Sequence, residues 1–554
     1  MLRFAIGLVV MAVPCAPIGA QEKGRAVTAE HGMVVCVSPE AADVGVAVLK
    51  RGGTAVDAAV AVAFALAVTY PAAGNIGGGG FMLVAPPGAE PTFFDYRETA
   101  PAAVSRDTFV KTADWHNHKA VGVPGTVRGL ELAHKRFGKL SWKDLVQPAA
   151  KLAEDGFTLD EPMVKSLNLA VRRPGGSEEF RRLFGKDGKP AWKVGDRLVQ
   201  KDLAKSLRRI AEDGADGFYA GESAELLIKE IRSGDGYIKR GDLDSYRAKE
   251  RKPVHGTYRG YDVYGPPPPS SGGIGLVEML NILEGFDLKK VGANSAEARH
   301  VMAEAMRRAF ADRARYLGDP DFVPVPEFLV SKAHARKLAK TIDLEKATPS
   351  ESVAPEVPLA KDGDSTTHFS VIDQSGVAVA NTYTLEDSYG SRVVVRGAGY
   401  ILNNEMGDFN SRPGVTTRGG RIGSDPNQVA PGKRMLSSMS PTVVRKDGKS
   451  VLITGSPGGR TIINTVLCIV TNLIDFGMDA QAAVDAPRQH HQWFPDVLQI
   501  EAGDDGLRKK LESLGHKVRI QAKQGDAHSI WIDPKTGRYH GAADKRINGK
   551  AAGY

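Results

Sequence analysis

The chain has 554 residues, about three times the length of one ordinary domain, which excludes a small disulfide-stapled scaffold. It is 42% apolar and 25% charged, which excludes bulk disorder, and its 62 Gly and 32 Pro disfavour a coiled coil or helical repeat. The net charge of +8 is spread over short mixed-sign stretches such as Arg307, Arg308, Asp312, Arg313 and Arg315, which read as solvated surface and not as a nucleic-acid footprint.

The chain opens with Arg3, an apolar run from Phe4 to Val13, and small residues ending at Gly19-Ala20. This pattern predicts a signal peptide over 1–20 and an exported, periplasmic or secreted, protein. The run is too short to span a bilayer, and no later stretch reaches about 18 uninterrupted apolar residues, so no membrane span is expected. Beyond the leader only Cys36 and Cys468 remain, both in apolar surroundings, and both read as buried thiols instead of a disulfide.

Ser38-Pro39-Glu40 offers a cap, a first-turn proline and an acid, predicting a short helix that stops at Gly52-Gly53. From Ala55 to Val68 the residues are almost all apolar, predicting a helix buried on every side. A glycine-rich loop, Gly74-Asn75-Ile76-Gly77-Gly78-Gly79-Gly80, leads into a strand at Phe81–Val84, and lacks the Lys-Ser or Lys-Thr of a phosphate loop. Residues 130–342 read as mainly helical, broken by the proline turn at Pro266–Ser271. The polar, proline-punctuated segment 344–365 reads as an exposed, mobile linker.

Two strand-like runs, Thr366–Asp373 and Val377–Leu385, joined by Gln374-Ser375-Gly376, predict a hairpin. Strands are also expected at Thr442–Arg445, Val451–Thr454, Val518–Gln521 and Ser529–Ile532, the last two closing the sheet, with helices at Thr461–Phe476 and Gly503–Gly515. Strands and helices thus mix at both ends, which predicts one layered α/β unit.

The junction Ser365-Thr366-Thr367-His368 places a hydroxyl residue where the linker becomes a core strand. If the Ser365-Thr366 bond were cut, Thr366 would carry a nucleophilic hydroxyl and a free α-amine of pKa about 7.7 to 8.0, able to act as its base. No Ser-His-Asp arrangement competes, since Gly455-Ser456-Pro457-Gly458 lacks the elbow spacing. By itself, Thr366 reads first as a β-former opening a strand. His116, His118, His490 and His491 complete no recognised metal-ligand spacing and read as structural; His368 reads as packed or locally hydrogen-bonded.

The accumulated motifs resemble those of the gamma-glutamyltranspeptidases, N-terminal-nucleophile hydrolases. They are Gly52–Ala59, Ile76–Met82, Phe94–Glu98, Pro267–Gly273, Thr366-Thr367-His368, Leu436–Thr442, Gly455–Gly459 and Ala486–His491. The resemblance implies a four-layer αββα sandwich formed jointly by a large chain (21–365) and a small catalytic chain (366–554), a heterodimer cut from one precursor. It implies Thr366 as nucleophile, Thr384 as its supporting hydroxyl, and Gly458 and Gly459 as the oxyanion hole. Arg97, Ser437 and Ser438 match the donor's carboxylate clamp; Glu386, Glu405 and Asp408 match the positions that bind its ammonium. The implied activity is γ-glutamyl transfer and hydrolysis, with glutathione and other γ-glutamyl compounds as donors, amino acids or dipeptides as acceptors, no cofactor and no metal. An acylase of the same architecture, acting on a glutaryl-type amide or poly-γ-glutamate, and a non-catalytic binding relative are the alternatives. The loop Pro413–Gly420 has the length of the family's lid but carries Gly419 where many lids carry an aromatic gate.

Overall fold

The computed structural model describes residues 25–354, 359–361, 366–501, 503, 505–547 and 549–554. The expected leader 1–20 and the Ser365 side of the expected cleavage bond lie outside them.

Local chemistry sets the first helices. The Ser38 hydroxyl accepts from the Ala41 amide, opening helix Pro39–Lys50. Thr54 and Asp57 then cap each other: the Thr54 hydroxyl accepts from the Asp57 amide at 3.1 Å and the Asp57 carboxylate from the Thr54 amide at 2.9 Å. The helix they open, Ala55–Thr69, has every residue buried, as its almost wholly apolar composition requires. Asp57, its one charge, also accepts from the Lys139 and Leu140 amides.

Two seven-stranded antiparallel sheets lie face to face. The first runs Lys550–Gly553, Met33–Cys36, Thr367–Ile372, Ala378–Thr384, Gly79–Ala85, Thr92–Tyr96 and Lys249–Arg251. The second runs Val27–Ala29, Tyr539–Ala543, His528–Ile532, Lys449–Thr454, Thr442–Lys446, Tyr261–Gly265 and Val254–Tyr258. Strand alternation divides the side chains between layers. Phe369 and Val371 point outward into a core shared with Ala55–Thr69, whereas Ile372, Met33, Phe81 and Leu83 meet Val443, Ile453 and Ile530 between the sheets. Helices Gly272–Leu283, Ala296–Tyr316 and Thr461–Ile474 cover the second sheet. The result is the expected αββα sandwich, with strands from either side of residue 365 in both sheets.

Cys36 and Cys468 are buried free thiols, as read. No helix among the described residues is long and apolar enough to cross a membrane.

Four expectations need correction. The region read as helical contains the strands Lys249–Arg251, Val254–Tyr258 and Tyr261–Gly265; each is too short, and its charges too interspersed, to show a clear period. Val518–Gln521 does not close a main sheet but pairs in parallel with Leu498–Glu501 in a separate three-stranded one. The segment read as exposed is partly buried where it is described: Ala347, Ser350 and Ala354 are buried, the Ser350 amide donates to Asp496 at 2.9 Å, and 359–361 pairs with Gly420–Ile422. Finally, Arg307, Arg308, Asp312 and Arg313 are buried, not solvated. Glu304 accepts from both Arg307 and Arg308, Asp496 lies 3.2 Å from Arg307, and Asp312 takes Arg315 at 3.1 Å, so Arg307, Arg308 and Asp312 each meet an opposite charge.

Candidate active site

The register of the central hairpin places the hydroxyls. Thr367 pairs with Tyr383 and His368 with Thr382, so Thr366 stands one step further, opposite Thr384. Its hydroxyl donates to that of Thr384 at 3.3 Å, and Thr384 in turn accepts from the Glu386 amide at 2.8 Å. Thr366, His368 and Ser370 share one strand face. The two inner ones are tied up locally: His368 meets Thr382 at 2.8 Å and Ser370 at 3.1 Å, and burial, then the neighbouring His528, holds its pKa well below the usual imidazole value. His368 is thus a packed histidine, and Thr366 alone of the three reaches the cavity.

That cavity measures about 410 Å³ and is lined by Thr366, Thr384, Arg97, Glu386, Asp408, Ser437, Ser438 and Gly459 among others. Of the ten residues singled out in the sequence, Glu405 and Gly458 stand immediately behind this lining. Gly458 and Gly459 form the turn between strand Lys449–Thr454 and helix Thr461–Ile474, both at positive φ (+127° and +52°). A β-carbon on Gly458 would stand 2.5 Å from the Thr461 hydroxyl, so only glycine fits. The amides of Thr461 and Ile462 donate to the Gly458 and Gly459 carbonyls at 3.0 and 3.1 Å, which fixes the turn at the start of the helix.

Arg97 follows strand Thr92–Tyr96 and is fully buried. Its guanidinium pairs with Glu405 at 2.6 Å, with Asp408, and at 3.6 Å with Glu98, while Nε donates to the Met435 carbonyl. Burial opposes its charge, but the three carboxylates outweigh burial and push the guanidinium pKa up. Crowding acts in the opposite sense on the acids. Burial first, then Asp387, Asp408 and Glu405, raises Glu386 well above the usual carboxyl range, and burial raises Glu98 to about 8 against the pull of Arg97. The site is therefore short of positive charge on its acidic side.

Ser437 and Ser438 are held from across the second sheet. The Ser437 amide donates to the Pro269 carbonyl, and its carbonyl accepts from both the amide and the hydroxyl of Ser271, at 2.8 and 2.7 Å. The proline turn thus docks against the Leu436–Thr442 segment. Arg313, which the sequence reading placed on the surface, lines the cavity and reaches both sides of this contact, Ser271 at 2.9 Å and Ser438 at 3.2 Å. Its signal was present: helix Ala296–Tyr316 carries small residues on all faces, so its charges had to be paired inside.

Trp115 was also missed. It lines the cavity, packs against Phe109 with ring centroids 5.5 Å apart and planes tilted by 34°, and is flanked by His116, which meets Asp387 at 3.3 Å. The loop Pro413–Gly420 is tied down by Arg460, which donates to the Gly420 carbonyl at 2.7 Å. His118, His490 and His491 bond to Glu230, Asn464 and Asp496 respectively.

A hydroxyl opens a central strand, glycines stand at a helix start, and one cavity holds an arginine, serines and crowded acids. The profile of the gamma-glutamyltranspeptidase family matches residues 41–554. The chain belongs to that family. Among the relatives of this gamma-glutamyltranspeptidase family member, a glutathione hydrolase proenzyme of Escherichia coli strain K12 is 48% identical over 95% of this chain and 93% of its own. One from Pseudomonas sp. strain A14 is 44% identical over 100% and 99%. The solved structure of a cephalosporin acylase from Bacillus halodurans superposes with a TM-score of 0.85 at 28% identity, covering 98% of this chain and 99% of that one. The fold is that of the N-terminal-nucleophile hydrolases, and the chain is an enzyme of the transpeptidase family.

Proposed function

We propose that the chain is an exported γ-glutamyl hydrolase and transpeptidase, made as a precursor and cut between Ser365 and Thr366. The Thr366 oxygen attacks the Ser365 carbonyl, giving an ester that water hydrolyses; the large chain then ends at Ser365 and Thr366 begins the small one with a free amine. That amine takes the proton of its own hydroxyl as the oxygen attacks the γ-carbonyl of a donor. Gly458 and Gly459 amides hold the oxyanion, the leaving amine takes the proton, and a γ-glutamyl ester remains on Thr366. Water, or the amine of an amino acid or dipeptide, resolves the ester and restores the threonine. Glutathione is the donor we assign.

The observation that carries this reading is the Thr366 to Thr384 hydroxyl contact at the wall of a cavity that also holds Arg97 and the acids. A donor with both an α-carboxylate and an α-ammonium answers both charges: the carboxylate meets Arg97 and the serine hydroxyls, and the ammonium meets Glu386, Glu405 and Asp408. An acylase acting on glutaryl amides would leave the acids with no cation to bind. Thr366→Ala should give only full-length protein by intact mass, against two chains from the wild type, the smaller beginning at Thr366. The wild type should prefer a γ-glutamyl anilide over the glutaryl one. Normal cleavage in the alanine variant, or a preference for the glutaryl compound, sinks the proposal. N-terminal sequencing of the large chain from exported protein tests removal of residues 1–20.

A further inference from the structure

The helical layer over the second sheet holds side chains that the proposed chemistry does not use. Among the described residues two groups of His, Asp and Glu bring three donor atoms within 4.8 Å of one another: His300, Glu304 and His516, and Glu278, Asp312 and His334. The first group is already committed, because Glu304 accepts from Arg307, Arg308 and the Thr348 amide. The second has a ligand atom to spare.

Glu278 comes from helix Gly272–Leu283, Asp312 from Ala296–Tyr316, and His334 from the short helix Lys332–Ala339 packed beside them. The two acids are 1% and 3% exposed, and the His334 side chain, at 18%, is the edge of the group that reaches water. Its Nε2 meets Asp312 Oδ2 at 2.7 Å and stands 3.8 Å from Glu278 Oε1. That Glu278 oxygen is buried and has no hydrogen-bond partner among the described residues. A buried acceptor without a donor is costly, and this one is aimed at an imidazole nitrogen already engaged by another acid.

Each ligand is held by its surroundings. The Ser331 hydroxyl caps the short helix by accepting from the His334 amide at 3.1 Å, and the Phe328 ring packs edge-on to the imidazole with centroids 4.9 Å apart. Arg315 donates to Asp312 Oδ1 at 3.1 Å, which orients that carboxylate and leaves Oδ2 toward the imidazole. Imidazole nitrogen and carboxylate oxygen bind zinc at about 2.0 to 2.2 Å, which sets neighbouring donors of a tetrahedron about 3.4 Å apart. The spacings of 2.7 and 3.8 Å lie on either side of that value, so side-chain shifts below an ångström reach it. One imidazole and two carboxylates suit a first-row transition cation; calcium takes six or more oxygens.

We propose that Glu278, Asp312 and His334 bind one divalent transition cation, best matched by Zn2+, which pins helix Lys332–Ala339 to its two neighbours, with water completing the shell. In the bound form the imidazole carries its proton on Nδ1 and both carboxyls are ionised, so uptake of the ion releases to solvent any further proton they held. All three ligands belong to the expected large chain and none lines the cavity, so the site stands independently of the γ-glutamyl reading.

The test uses the untagged mature two-chain enzyme, stripped with EDTA, dialysed, and titrated with ZnCl2 by calorimetry. The expected result is one ion per heterodimer and a melting midpoint raised by about 2 to 5 °C at a hundredfold excess over Kd. Glu278→Gln and His334→Gln should each weaken binding at least tenfold and abolish the zinc-dependent shift. A wild type that takes up no zinc overturns the proposal. So does zinc bound with unchanged affinity in both variants, which would place the ion elsewhere, the acids of the cavity included. If Glu278→Gln does not fold, His334→Gln at the wet edge decides: a tenfold loss supports the site and unchanged binding overturns it.

Discussion

Glu386 carries an unusual load for one side chain. It adopts a positive φ of +77°, its amide holds Thr384 in place, and its carboxyl is buried among other acids. A buried carboxyl with a raised pKa keeps its proton to a higher pH than it would in the unfolded chain. In the proposed site the donor's ammonium binds the ionised form, so raising the pH through the Glu386 pKa should tighten donor binding. We expect KM for a γ-glutamyl donor to fall as pH rises from 5 toward neutrality and above, while the donor ammonium stays charged. Glu386→Gln should flatten that slope. A wild-type KM that rises over the same range would show that this carboxyl does not face the ammonium.

At the scale of elements, the turn Gly455–Arg460 between a strand and a helix makes the strictest demand on residue type. Gly458→Ala places a β-carbon 2.5 Å from the Thr461 hydroxyl at a φ that L residues avoid. The amides it would displace are those proposed to hold the oxyanion. The expected result is a fall in kcat of about 10²- to 10³-fold with modest change in KM, read by steady-state kinetics on protein shown by mass to be mature. A variant with wild-type kcat would move the oxyanion hole elsewhere.

The same scale shows what the sequence made legible. The almost wholly apolar Ala55–Thr69 helix and the Thr367–Thr384 hairpin announce themselves because each has clear punctuation. The strands between Lys249 and Gly265 have neither, and the sheet that Val518–Gln521 joins depends on a partner, Leu498–Glu501, that no local pattern names. The Thr366 to Thr384 pairing follows from hairpin register and was within reach of the residues alone; Arg97, Glu405 and the serines, scattered over some 340 positions, came together only through the family resemblance. Arg313 was misread because a charged run is ordinarily solvated. What reverses that rule is the paired acids on the same buried helix and its neighbours, Glu304 and Asp496 among them.

For the whole molecule, the expected cut falls between two parts of one core. Strand Thr367–Ile372 lies between Met33–Cys36 and Ala378–Thr384, and Ala378–Thr384 lies against Gly79–Ala85; each sheet joins segments from before and after residue 365. Breaking one peptide bond leaves all of these ladders in place. The two chains should therefore elute as one species of about the 59.2 kDa of the uncut chain, less the leader, on native size exclusion, and separate only in denaturant. Two native peaks would contradict the interleaved architecture.

A chain end is normally the loosest part of a protein, because its last residues have neighbours on one side only. The end created at Thr366 would be of another kind. The residue after it is already paired to Tyr383, and three steps on the strand gains a second neighbour at Val35. A new α-amine there would inherit the stillness of an interior strand instead of the wandering of a tail. Its nitrogen would be held at a fixed distance from its own hydroxyl and from Thr384 without any binding event to arrange it. An ordinary amino terminus, which costs nothing to make, becomes an oriented base because the cut is made inside a finished sheet.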